Sequence, residues 1–314
     1  MKKVLVILPD NNKGKYIAKG YADAFRSLSY FVIERKLYDL NSQEIIKYKP
    51  DIIFTFWLQM KTNASAKVFF NEYVNENTVF INVAEYLDDI PEEIQNNDKT
   101  YCFTSDSTGK KKILPAVAPE SYKRKFSGYK YLLTFSGNPA YTEREKILSK
   151  IIYNFGIINI FCRSFDFYKS VDEIYKNKFL DDKYIDLYRE SYRGYVESQK
   201  ELSYIYSHSK VNIDLTGEKP KSINYRCFEI LASGGFLIAP NNKTLLKYFD
   251  DGKELETYKS STELIDKVRF YMKNANLGLL IASKGKRNVV SNHSLCDRLK
   301  VMLKVIYGKN FSSR

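Results

Sequence analysis

The sequence predicts an α/β protein built as two doubly wound, Rossmann-like domains that face a central cleft. Three observations carry this. Continuous apolar runs, beginning with Val4–Leu8, alternate with segments of helical spacing, as buried parallel strands and their crossover helices do. The alternation breaks once, over Lys110–Lys130, and then begins again. The chain has 314 residues, room for two domains of ordinary size, and 44% of them are apolar, enough for a sizeable core.

In the first half, Val4–Leu8 is a buried strand. Lys15–Leu28 follows as a helix with Ile17, Tyr21, Ala24, Phe25 and Leu28 on one face. Phe31–Leu37 is a second strand, Ser42–Tyr48 a short helix, and Asp51–Trp57 a third strand after Pro50. Ala64–Tyr73 is helical and Val79–Val83 is a fourth strand. Tyr101–Thr104 and Ile113–Pro115 read as two short strands at the sheet edge. The break KKKILPAVAPESYKRKFSGYK holds two prolines, a glycine and seven basic residues against one glutamate. It reads as the interdomain connection, or equally as a solvated basic loop.

The second series opens with strand Tyr131–Ser136 and helix Thr142–Asn154, whose Ile147, Leu148, Ile151 and Ile152 face inward. Ile158–Cys162 is a strand, Tyr184–Ser207 is largely helical, and Val211–Leu215 is a strand. The segment SINYRCFEILASGGFLIAP, Ser222–Pro240, is a polar loop, a helix ended by two glycines, and a buried strand. Leu245–Phe249 is a helical turn. Thr262–Lys273, Leu279–Asn288 and Leu295–Tyr307 are helices, and Ser312–Arg314 is a frayed tail. The expected domains are residues 1–125, residues 126–292, and a terminal helix and tail over residues 293–314 that packs back on the first.

The net charge of +13 predicts attraction to an anion, with the coding bias of an AT-rich genome as a sufficient alternative cause. Anionic candidates are a nucleotide, an anionic membrane surface or an anionic acceptor. Nucleic acid is disfavoured, because no basic stripe interleaved with aromatics and no recognisable module is present. The opening MKKVLVILPD starts like a secretion signal, but Asp10 and Asn11 end the apolar run too early, so a cytoplasmic location is expected. Cys102, Cys162, Cys227 and Cys296 are widely spaced, as free thiols are.

Ligands of open α/β sheets bind outside the carboxyl ends of the strands, so loops after strands carry the chemistry. Ser136-Gly137-Asn138, with Arg144 shortly after, would let backbone N–H groups approach a phosphate, although an ordinary tight turn has the same signature. Arg163-Ser164 follows the next strand. Lys219, Lys221, Asn224 and Arg226 precede Glu229, offering donors to a diphosphate and a carboxylate to vicinal ribose hydroxyls. Arg226 and Glu229 lie three residues apart, on one helical face. Asp10, after the first strand, is placed to face an acceptor, or is a turn residue. His208 and His293 are the only histidines, and packing or capping accounts for each as well as catalysis does. The chain has no Asp-x-Asp, no G-x-G-x-x-G after its first strand and no G-x4-G-K-[ST]. Metal-dependent transfer through an Asp-x-Asp, dinucleotide oxidoreduction and P-loop chemistry are thereby disfavoured.

The runs YRCFEILASGGFLIAP, LLKYFDDGKELETYKSSTELIDKVRFYM and NHSLCDRLKVML, with a late His293-x4-Arg298, resemble the CgeB-like glycosyltransferases. These belong to the group 1, family 4-like transferases of the GT-B fold. The resemblance covers about Tyr131–Leu303 and is only architectural before that. It implies a nucleoside-diphosphate sugar as co-substrate, no separate cofactor, no metal, and a glycan, protein or lipid-linked acceptor. By the resemblance Glu229 binds the ribose, Arg226 sits near the diphosphate and Gly137 lines the phosphate loop. The family's second glutamate, eight positions upstream, is Lys221 here. The implied donor set is Ser136, Gly137, Asn138, Arg163, Lys219, Asn224, Arg226 and Glu229, with Arg226, Arg144 and Asp10 nearest the chemistry and a retaining reaction expected. A nucleic-acid-modifying protein and a non-catalytic coat protein that kept the shell are the alternatives.

Overall fold

The computed structural model describes residues 1–10, 12–36, 39, 47–56, 78–84, 92–96, 98–104, 113, 115–118, 122, 126–215 and 223–308. The chain forms two compact units, Met1–Ala118 with His293–Arg314, and Pro119–Asn292.

The first unit is a parallel sheet in the order β2-β1-β3-β4-β5. Its strands are β1 (Lys3–Leu8), β2 (Phe31–Lys36), β3 (Ile52–Phe56), β4 (Val79–Ala84) and β5 (Thr100–Thr104). Helix α1 (Asn12–Ser27) crosses from β1 to β2, and α2 (Glu92–Gln95) precedes β5. Strand β3 is buried along its whole length, which is why its sequence, IIFTF, does not alternate apolar with polar. Tyr21 and Phe25 of α1 close over the sheet, with ring centroids 4.8 and 5.7 Å from Phe54. Ile113–Pro115, expected as a second edge strand, forms none among the described residues. Ile113 donates its N–H to Thr104 O at 2.8 Å, but Pro115 has no N–H to continue a ladder. The pairing of this stretch falls instead on Val117, which bridges to Ser294. The expected helices Ser42–Tyr48 and Ala64–Tyr73 and the tail Ser312–Arg314 lie wholly or mostly outside the described residues.

The second unit is a parallel sheet in the order β10-β9-β8-β6-β7. Its elements are β6 (Tyr131–Ser136), α3 (Thr142–Phe155), β7 (Asn159–Phe161), α4 (Ser164–Lys176), α5 (Asp182–Glu190), α6 (Gln199–Ser207) and β8 (Ser209–Ile213). Then come α7 (Tyr225–Ser233), β9 (Leu237–Pro240), a 3-10 turn (Leu245–Lys247), β10 (Glu256–Tyr258), α8 (Ser261–Lys273) and α9 (Ala275–Asn292). Helix α10 (Leu295–Tyr307) returns to the first unit and packs on α1. It starts with a capping box, in which the Ser294 side chain and the Asp297 backbone, and the reverse pair, satisfy each other.

Three differences from the sequence reading stand in this unit. The stretch Tyr184–Ser207 is two helices, because residues 191–194 leave the helix to run beside β7. Arg193 N donates to Ile160 O at 2.9 Å and Cys162 N to Gly194 O at 3.0 Å. Helix α4 was not expected, although Phe167, Val171 and Ile174 give it a buried face at helical spacing. Strand β10 is only three residues long, too short to show a period.

Helix α7 stops where it does because Gly234 takes the left-handed conformation at φ 78°. The next residue, Gly235, sits so close to α6 that a Cβ there would lie 2.6 Å from Tyr206 O. The paired glycines thus end one helix and seat it against another.

Candidate functional site

In the second sheet the chain reverses direction of growth between β6 and β8. Neighbouring strands there send their connections to opposite sides, which opens a crevice at their carboxyl ends. Ser136, Gly137 and Asn138 close β6 at this point, and Asp214 and Leu215 follow β8. Helix α7 brings Asn224, Arg226 and Glu229 to the same place.

Arg226 is the centre of the cluster. Its Nη1 pairs with a carboxylate oxygen of Asp214, and its guanidinium lies 5.2 Å from the centroid of the Phe135 ring. Its other edge lies against Gly137. A Cβ at position 137 would overlap Arg226 Nη2 and stand 2.8 Å from Cζ, and the backbone there has φ +145°. Glycine is required here to seat a guanidinium. The Gly137 N–H is not directed at a ligand, since it donates to Phe161 O at 3.0 Å.

Arg144, buried in the first turn of α3, reaches back across the same turn. Its Nη1 donates to Asn138 O at 2.7 Å and its Nη2 to Leu215 O at 3.3 Å, so one side chain ties the loop after β6 to the loop after β8. It also lies over the Tyr141 ring, 4.9 Å from the centroid. Burial, and then the charge of Arg226, push its pKa down to about 10, which leaves it protonated at neutral pH. Burial is the largest single influence on Arg226 and opposes its charge, but Asp214, with Tyr206, Cys227 and Glu229 acting in the same direction, holds this guanidinium above its ordinary range.

Asp214 is the residue the sequence reading missed. It is 4% exposed and its carboxylate accepts from Asn224 Nδ2 at 3.1 and 3.0 Å, from Arg226 and from Cys227 Sγ at 3.5 Å. Its backbone oxygen accepts from Tyr258 Oη at 3.1 Å. A carboxylate inside the apolar run Val211–Leu215 was the available signal, because a buried charge needs partners.

Glu229 is buried on α7, and its charge is felt by Arg226 and by the buried phenol of Tyr206. Burial, then the Glu229 carboxylate, raise the Tyr206 pKa well above the usual range, and Ser136 hydrogen-bonds its side chain. Asn138 turns its amide oxygen to Ala140 N at 2.8 Å and its Nδ2 to Asp166 at 3.2 Å. Arg163 is exposed at the start of α4, with its guanidinium 5.7 Å from the Tyr195 ring, and no described contact joins it to the Arg226 cluster. Asp10 is exposed after β1, in the first unit, at the corresponding carboxyl edge. Lys219 and Lys221 lie outside the described residues.

His208 is a packed residue. Its Nδ1 donates to Tyr204 O at 2.8 Å, which leaves Nε2 to accept from Ser127 Oγ at 3.0 Å, and its ring stacks on Tyr204. His293 belongs to the first unit, where it accepts from Arg298. Among the described residues no three His, Cys, Asp or Glu side chains converge as a metal site would require, and no helix is long and apolar enough to cross a membrane.

The cluster can therefore present one buried cation, Arg144, and one half-buried cation, Arg226, partly offset by one buried carboxylate, at a sheet's topological switch. This is suited to a phosphorylated ligand. Residues 161–304 match the family model described as Glycosyl transferase-like. No curated protein matches the chain in sequence. Solved structures do match in fold. Sucrose-phosphate synthase from Thermosynechococcus elongatus superposes with a TM-score of 0.69 at 9% identity, over 98% of this chain and 99% of that one. The Anabaena protein HepE, solved with UDP and glucose, gives 0.65 at 11% identity, over 98% and 99%. An α-glucosyltransferase solved with UDP and a 13-mer DNA gives 0.65 at 13% identity, over 98% and 100%. The architecture is that of the GT-B fold.

Proposed function

We propose that this chain, a glycosyltransferase by its GT-B fold and its family match, moves a sugar from a nucleoside-diphosphate sugar to an acceptor. The observation that carries the reading is the seating of Arg226 against Gly137, with Arg144 on the same turn, at the switch point of the second sheet. Leaving-group departure leaves negative charge on the diphosphate. Two desolvated guanidiniums, already in place, stabilise that charge without reorganising. Glu229, on the same helix as Arg226, takes the ribose hydroxyls. Ser136 and Asn138 border the diphosphate. Arg163, beside Tyr195 at the next strand end, is assigned to the donor's periphery, and Lys219 to the developing charge on the diphosphate.

The first unit is assigned the acceptor, with Asp10 at the carboxyl end of β1 nearest to it. In the retaining reaction proposed here, an oxygen of the departing diphosphate takes the acceptor hydroxyl's proton as that hydroxyl bonds the anomeric carbon. The proposed reaction uses Arg144 and Arg226 in place of a metal. The closer affiliation with CgeB-like enzymes rests on the FEILASGG, FDDGKEL and His293-x4-Arg298 runs.

A nucleic-acid acceptor has one favourable observation, the net charge of +13. The distribution of that charge does not single out the acceptor side. The first unit, residues 1–118 with 293–314, carries 21 Lys and Arg against 16 Asp and Glu, and the second, residues 119–292, carries 29 against 21. The larger excess lies on the side assigned to the donor, where phosphate binds.

A thermal-shift and donor-hydrolysis panel of UDP, GDP, CDP and TDP sugars tests the reading. One nucleotide series should raise Tm, and Glu229→Ala should abolish the rise. A protein whose Tm responds to no member of the panel does not bind such donors.

A further inference from the structure

Building on the donor reading above, we infer that Asp214 is a positioning residue for diphosphate recognition: it fixes the Arg226 guanidinium where the phosphates arrive. It is the residue immediately after β8, at the switch between β6 and β8, and it is buried. It is also fixed at both ends. Tyr258 Oη holds its backbone oxygen at 3.1 Å, and Asn224 Nδ2 bonds both carboxylate oxygens, at 3.1 and 3.0 Å. With Cys227 Sγ on Oδ2 at 3.5 Å, the carboxylate has no freedom to follow a mobile partner. Whatever it pairs with is located by it.

What it pairs with is a long side chain that would otherwise leave. Arg226 sits in the first turn of α7, with several rotatable bonds between backbone and charge. The like charge of Arg226 is close enough to depress the pKa of Arg144, so each guanidinium repels the other from the turn. Asp214 acts on both, since its charge favours the protonated form of Arg144 as well as of Arg226. It is the carboxylate between the two cations. It lets them share one turn and keeps Arg226 against Gly137 and Phe135.

The arrangement does not exhaust the arginine. One N–H edge goes to Asp214, and a guanidinium has five N–H donors, so others remain for phosphate oxygens. The trio keeps one net positive charge, which an uncharged nucleoside does not need and a diphosphate does. Asp214 therefore acts on the phosphate part of the donor alone, through Arg226. A carboxylate whose oxygens already accept from three side chains serves here to hold a cation rather than to shuttle a proton.

The test compares dissociation constants of the nucleoside diphosphate selected from the UDP, GDP, CDP and TDP panel with those of its own nucleoside. The nucleoside's constant divided by the diphosphate's isolates the contribution of the diphosphate. Asp214→Asn should reduce that ratio at least tenfold while nucleoside affinity stays within threefold. Asn224→Ala, which removes two of the bonds that fix Asp214 without changing charge, should reduce it by a few fold, and decides the matter alone if Asp214→Asn does not fold. An unchanged ratio overturns the inference. A ratio that rises means Asp214 competes with the phosphates, and an equal loss for both ligands means a purely structural role; either overturns it. Wild-type protein that binds no nucleoside diphosphate overturns the donor reading itself, which separates the two failures.

Discussion

The guanidinium of Arg226 occupies the space that any side chain at Gly137 would need. A Cβ there would overlap Nη2, and the backbone at φ +145° already excludes most L residues. Gly137→Ala must therefore both strain the turn and displace the arginine. The strain costs about 1–3 kcal/mol. Donor affinity should fall at least tenfold with the fold retained. Titration of the donor nucleotide alongside urea denaturation checks this, and an Ala variant with unaltered donor affinity would show that the seat of Arg226 is immaterial.

Arg144 makes a second, separable prediction. Its two Nη atoms bridge Asn138 O and Leu215 O, a span that a single ammonium does not match. Arg144→Lys should keep the charge and lose the bridge, costing about 1.5–3 kcal/mol in stability. If Arg144 acts on the departing diphosphate, kcat should fall more than donor KM rises. A change in KM alone would reassign it to ground-state binding.

How much of this site the sequence disclosed depended on where each residue sat relative to a strand. Gly137, Asn138 and Arg144 were legible because they follow the clear apolar strand Tyr131–Ser136, and Arg226 and Glu229 because a polar loop meets an apolar helix. Asp214 was hidden inside a run taken wholly as strand, although β8 ends at Ile213. The reason for Gly137 was also hidden. A sequence shows that a glycine is there, but only packing shows that Arg226 fills the place of its side chain. Most core strands of both sheets were legible from continuous apolar runs. The three-residue β10 and the interruption at residues 191–194 were not, since pairing with a neighbouring strand leaves no period in so few residues.

Glu145 gives a pH prediction outside the cluster. It is buried in α3, where burial, and then the nearby Glu173, raise its pKa from 4.5 to about 7, against a smaller opposing effect of Lys169. The folded protein thus favours the protonated acid. The associated stability is complete below about pH 4.5 and is lost as pH rises through about 7. Glu145→Gln removes this titration. It should be nearly neutral at pH 4 and stabilising by ~3 kcal/mol at pH 8. Urea denaturation of both proteins at the two pH values checks the difference, and a variant less stable than wild type at pH 8 would contradict it.

His293 behaves in the opposite sense, and its hydrogen bond says why. Arg298 donates to His293 Nδ1, so that nitrogen carries no proton and the neutral ring holds its proton on Nε2. Burial, and then the charge of Arg298, lower its pKa from 6.5 to about 4. The unfolded chain takes up a proton near pH 6.5, and the folded one not until about pH 4. Stability from this residue is therefore complete above about pH 6.5 and is lost as pH falls through about 4, a decline of ~2–3 kcal/mol. It acts on the first unit, where Val117 bridges to Ser294 and α10 packs on α1. His293→Asn should flatten this acid limb of the stability curve. Proton NMR of the ring supplies an independent reading. A midpoint near 6.5 would mean that the ring is open to water and that Arg298 does not hold its nitrogen, whereas a midpoint near 4 requires both the burial and the bond.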